Sequence, residues 1–142
     1  MPDLQTHHVG LTVSDLDRAI EFYRDVLGLP VVAEFEVSGE AFATGVDIDG
    51  ASARFAHLDG GSLRIELVEY APAAEGASTP QLNESGATHV GLEVDDLDAF
   101  YNELPSTVDT LSPPQTTETG TRILFLRDPE DNLIEVLELG AE

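Results

Sequence analysis

THHVGLTVSDLD, residues 6–17, decides the fold because the chain writes it twice, returning as THVGLEVDDLD at residues 88–98. With His8 set against His89, eight of ten positions agree, and only Thr12/Glu93 and Ser14/Asp95 differ. Agreement this dense marks two structural modules. In each copy Val, Leu and Val alternate (Val9, Leu11, Val13; Val90, Leu92, Val94), the period of a half-buried strand. His8, Gly10 and Thr12 therefore share the opposite face, as do His89, Gly91 and Glu93. Ser14 with Asp17, and Asp95 with Asp98, form an acidic variant of the capping box, so a helix should start at each.

Outward from these phrases the pattern continues. Leu16, Ala19, Ile20, Tyr23, Val26 and Leu27 recur at helical spacing, Gly28 supplies a stop and Pro30 forbids continuation. The second helix holds Leu97, Phe100, Tyr101 and Leu104 before Pro105. Strands are expected over 31–37, 41–45, 53–58 and 62–70, the last two joined at Asp59-Gly60-Gly61 as a hairpin. Residues 71–86, rich in Pro, Gly, Ser and Ala, read as a linker. In the second half the strands are 121–126 and 133–139, with an edge strand near 108–111. The expected fold is α+β: two tandem βαβββ modules, about 4–70 and 87–140, within one domain spanning 1–142.

Four residues break the apolar pattern. Glycine two places beyond each histidine leaves space above the strand. Each module also ends in a strand bearing a carboxylate among apolar neighbours, Glu66 in LRIELVEY and Glu135 in LIEVLEL. Ile134 and Val136 should pack beneath the helix, which puts Glu135 on the other face with Leu137 and Leu139. A carboxylate there is costly to bury unless something neutralises it. Singly, a strand-edge histidine is more often hydrogen-bonded than metal-bound, and a strand glutamate is usually solvent-facing. The doubling favours a metal: two imidazoles and two carboxylates suit one divalent ion of Ni, Co, Mn, Fe or Zn. His7 should point away from His8, and His57 has no counterpart in the repeat. Both read as surface or edge residues.

The phrases HHVGLTVSDLDRAIEFYRDVLGL, LRIELVEY, ATHVGLEVDDLDAF and FLRDPEDNLIEVLEL resemble the vicinal oxygen chelate superfamily of glyoxalases, bleomycin resistance proteins and extradiol dioxygenases. The resemblance implies that the modules form a cupped, partly open barrel around one metal held by His8, Glu66, His89 and Glu135. By ligand pattern it is nearest to glyoxalase I. It implies a lyase or isomerase that transfers a proton on a metal-chelated small molecule such as a hemithioacetal, with Glu135 first and Glu66 second as catalytic groups. It also implies a homodimer. An extradiol dioxygenase, an enzyme like methylmalonyl-CoA epimerase and a non-catalytic binding or resistance protein stay open as alternatives.

Composition narrows the partners. There are 28 acidic residues against six basic ones, all arginine, for a net charge of −22. That balance opposes nucleic acid and anionic membranes. No apolar run is long enough to span a bilayer, and the first residues lack a secretory pattern, so a cytoplasmic location is expected. Without cysteine there are no disulfides or thiolate ligands. Arg54, Arg64 and Arg122 lie on strands and are candidates for gripping an anion, though surface ion pairs are the commoner use. The acidic excess with no lysine points to a cytoplasm of molar salt, where screening shortens to about 3 Å. The urea midpoint of unfolding should therefore rise as potassium chloride is raised from low to molar concentration. A midpoint that stays put would count against this salt adaptation.

Overall fold

The computed structural model describes residues 2–75 and 80–140, and the chain divides into two compact units, residues 1–77 and 78–142. Unit one contains β1 (His8–Thr12), α1 (Leu16–Glu21), β2 (Val31–Val37), α2 (Glu40–Val46), β3 (Ser52–Asp59) and β4 (Arg64–Ala71). Its strands are ordered β1-β4-β3-β2, with β1 parallel to β4 and the other pairs antiparallel. Unit two contains β5 (His89–Glu93), α3 (Leu97–Glu103), β6 (Gln115–Thr116), β7 (Arg122–Arg127) and β8 (Leu133–Glu138). The order β5-β8-β7-β6 repeats the same plan, with β5 parallel to β8. The expected α+β class and its two βαβββ-type modules are present, each as a four-stranded mixed sheet. Among the described residues no helix is long and apolar enough to cross a membrane.

Each first helix begins one residue later than the capping-box reading placed it. Pairing runs past the strand, Val13 N–H donating to Val68 and Val94 N–H to Leu137, and Ser14 and Asp95 form a bend ahead of the helix. The caps are Asp15 and Asp96, whose carboxylates accept from Arg18 N–H at 3.1 Å and Ala99 N–H at 3.0 Å. A second carboxylate reaches each helix from the last strand: Leu16 N–H donates to Glu69 at 2.7 Å and Leu97 N–H to Glu138 at 2.9 Å. Beside these, Arg54 of β3 pairs with Asp17 at 3.2 Å, and Arg122 of β7 pairs with Asp98 at 2.7 Å. The same four-part clasp is thus built in both modules.

The helix-facing side of each sheet is the core. Ile65 and Leu67 of β4 are buried beside Leu16, Ala19 and Ile20, and Ile134 and Val136 of β8 beside Leu97. Each fully buried leucine of this kind contributes about 1.5–3 kcal/mol. After α1 the chain widens into one π-helical turn, Phe22–Val26, before Gly28 at φ +75° ends the helix.

Three expectations are corrected. Residues 41–45 are not a strand but part of α2. The alternation of Ala41, Ala43 and Gly45 imitates a strand, yet alanines favour helix, and the helix sets Phe42 against Phe55 and Tyr70 with ring centroids 6.2 and 6.3 Å away. Asp47, left-handed at φ 57°, closes it. The edge strand of unit two is Gln115–Thr116 rather than 108–111, where only Thr110 bridges to Leu126. Of the presumed linker, residues 76–79 lie outside the described residues, and Ala71 belongs to β4.

Replacing Glu69 or Glu138 by Ala removes the hydrogen bond to the first helical N–H and should lower unfolding stability by about 1 kcal/mol each. Glutamine, which keeps an acceptor, should lose less. Urea denaturation measures both; an alanine variant with an unshifted midpoint would show that the clasp contributes nothing.

Candidate functional site

In unit one the parallel register sets Gly10 directly beside Glu66. A Cβ at Gly10 would lie 3.8 Å from the Glu66 carboxylate, so the missing side chain leaves the space in front of that carboxylate open. His8 Nε2 stands 3.6 Å from Glu66 Oε1. The His8 side chain is 38% exposed and that of Glu66 13%. His8 Nδ1 also meets His7 Nδ1 at 2.8 Å, so the two rings are partners rather than opposed. The alternation argument fails for His7 because β1 begins only at His8.

His57 is the larger correction. It is neither surface nor edge but 5% exposed, in the middle of β3 and directly opposite Glu66. Its Nε2 lies 2.7 Å from Glu66 Oε2, and its Nδ1 lies 3.1 Å from the Arg64 guanidinium. The hairpin could have revealed this: its turn pairs Asp59 with Arg64, and counting back along the ladder pairs His57 with Glu66. Comparing the two halves of the repeat hides it, since the second half carries Phe125 there, opposite Glu135.

Unit two repeats the core of the arrangement. Gly91 pairs with Glu135, and a Cβ there would lie 3.9 Å from Glu135 Oε1. His89 Nε2 is 3.4 Å from that oxygen, with the side chains 41% and 20% exposed. The His89 ring rests edge-on against Phe125, centroids 5.2 Å apart. Each unit thus brings its own predicted histidine and glutamate together.

The arginines do other work. Hydrogen bonding to Asp17 raises the Arg54 guanidinium above its ordinary value, Asp98 does the same for Arg122, and Asp25 for Arg24. Arg24 in turn holds the Asp25 carboxyl below its ordinary range. Arg54 and Arg122 serve the helix clasps rather than an anion, and Arg64 serves His57.

Among the described residues of either unit, no three His, Asp or Glu side chains gather into a group able to hold a metal. The pairs themselves do fit one. Donors 3.4 and 3.6 Å apart subtend about 110–120° at a cation with bonds of about 2.1 Å, an angle ordinary for first-row metals. Within each unit the imidazole nitrogen and the carboxylate oxygen are donor types that such metals accept.

Residues 5–136 match the glyoxalase/bleomycin resistance protein/dioxygenase superfamily. The chain belongs to that superfamily. It is 31% identical, over 95% of its length and 79% of the relative's, to a 2-epi-5-epi-valiolone epimerase from Actinomyces. Among solved structures, a glyoxalase family protein from Bacillus cereus superposes with a TM-score of 0.85 at 25% identity, covering 99% of this chain and 97% of that one. The trypanothione-dependent glyoxalase I of Leishmania major shares the fold, with a TM-score of 0.64 at 22% identity over 96% and 87% of the two chains.

Proposed function

We propose that this protein is a metal-dependent, glyoxalase-like enzyme that moves a proton on the carbon beside a carbonyl, in a small substrate carrying two neighbouring oxygens. The observation that supports this most is the doubled His–Glu pair, each facing a glycine that keeps its carboxylate accessible. In this reading His8, Glu66, His89 and Glu135 are the ligands of one divalent ion, Ni, Co, Zn, Mn or Fe. Such an ion, when bound, supplies a Lewis acid that polarises a substrate carbonyl. Glu135 takes the proton from carbon, the C–H electron pair passes toward the carbonyl, and a carboxylic acid later returns a proton. Returned to the neighbouring carbon, that proton completes an isomerisation, such as hemithioacetal to 2-hydroxyacyl thioester. A proton delivered instead by a second acid to the opposite face of the same carbon completes an epimerisation, and the 31% identity to an epimerase favours keeping this second outcome. Arginines occupied by Asp17, Asp98 and His57 favour a small substrate without phosphates over a CoA ester. A homodimer, acting in the cytoplasm, completes the proposal.

Protein purified without chelators should carry stoichiometric divalent metal. In heavy water it should exchange the substrate's carbon-bound proton, tested with methylglyoxal hemithioacetals and cyclic hydroxyketones. Glu135→Gln should retain metal yet lower turnover by about 10²–10⁴-fold. Undiminished turnover would defeat the assignment, and oxygen uptake with catechols would replace it by ring cleavage.

A further inference from the structure

The two half-sites are not equivalent, and the difference lies behind the carboxylates. Arginine has only donors, so the Arg64 contact at 3.1 Å requires a lone pair on His57 Nδ1. The ring hydrogen must then sit on Nε2, which faces Glu66 Oε2 at 2.7 Å as a donor. Burial of His57 and the edge-on Phe35 ring, 5.2 Å away, confine that imidazole. Glu66 therefore has one oxygen held from behind and the other turned to His8. In unit two the register positions of His57 and Arg64 are filled by Phe125 and Leu133, neither of which has a polar side-chain atom. Among the described residues the only side-chain partner of Glu135 is His89.

We infer that His57, locked by Arg64 as the Nε2–H tautomer, is a positioning residue that fixes Glu66 as the stationary metal ligand and leaves Glu135 as the carboxylate free to move. This rests on the metal centre proposed above. A ligating carboxylate hydrogen-bonded from behind loses less freedom on binding the ion, and removing such support commonly weakens metal binding by about 10–100-fold. Glu135, unsupported, can leave the ion and carry a proton at smaller cost to metal retention. The assignment concerns which carboxylate stays and which moves, and it gives a role to the one buried histidine that the ligand set does not use.

Two measurements on the full chain test it without any substrate. In metal-free protein with ¹⁵N-labelled histidine, long-range ¹H–¹⁵N spectra should show His57 as a single Nε2–H tautomer, and Arg64→Leu should produce a mixture. A single Nδ1–H form in the unchanged protein would overturn the inference. In cobalt(II) titrations followed by absorbance, His57→Ala should weaken binding about 10–100-fold. His57→Gln, whose amide can still donate to Glu66, should restore most of the affinity and also controls for misfolding. Glu66→Gln should weaken binding more than Glu135→Gln. Unchanged cobalt affinity in His57→Ala, or equal losses in the two glutamate variants, would overturn the inference while leaving the metal centre standing. An unchanged protein that takes up no cobalt would instead overturn the metal centre itself, and this inference with it.

Discussion

A carboxylate on the last strand of each module, Glu69 or Glu138, accepts the hydrogen bond of the first helical N–H in that module. A helix of six or seven residues is too short to be stable alone, and its orphan donors need partners. By satisfying one of them from the neighbouring strand, the glutamate ties the start of the helix to the strand that also carries the candidate ligand. The first and last strands of each module pair in parallel. That pairing places a glycine beside Glu66 in one unit and beside Glu135 in the other. Arg54 and Arg122 lie across from the clasping glutamates and reach the aspartates of the first turn.

Spacing along one strand separates structure from chemistry. Glu66 and Glu69 are three residues apart, as are Glu135 and Glu138, so the members of each pair stand on opposite faces of the sheet. The outer glutamate meets a helix N-terminus, where the dipole and a free N–H favour negative charge. No helix N-terminus meets the inner one: Glu66 has His57 and His8 beside it, and Glu135 has His89 alone. Glu135, with one histidine 3.4 Å away, is a half-buried carboxylate of the kind that a cation would compensate.

What could be read from the chain was what is written twice. The repeated strand, the first-turn aspartates and the Ile-Glu pairs gave the module plan and the candidate ligands, because duplication removes coincidence. Features present in one module alone were harder. Residues 41–45 alternate like a strand, and only the packing of Phe42 on Phe55 and Tyr70 makes the helix the better solution. Comparing the halves hides His57, since a repeat alignment rewards sameness and this residue has Phe125 as its counterpart. The cap shift from Ser14 to Asp15 turned on one more ladder bond, Val13 to Val68, which no local pattern announces. The clasping glutamates are legible: Glu-x-x-Glu occurs in both last strands, at the offset that changes faces.

Set side by side, the modules differ in a pattern. Their helix faces match part for part: cap aspartate, first-turn aspartate, strand arginine and clasping glutamate all have counterparts. Their inner faces keep only the glycine, the histidine and the glutamate in common. Around that shared core unit one places His57 and Arg64, and unit two places Phe125 and Leu133. Folding constrains both helix faces alike, since each must close the same short helix onto the same kind of sheet. The proposed proton transfer would set a different demand, because a carboxylate that anchors an ion and one that leaves it need opposite surroundings. Under that proposal two identical copies could not supply two roles. The differences that separate the inner faces fall next to the two carboxylates, where the proposed division of roles would be made.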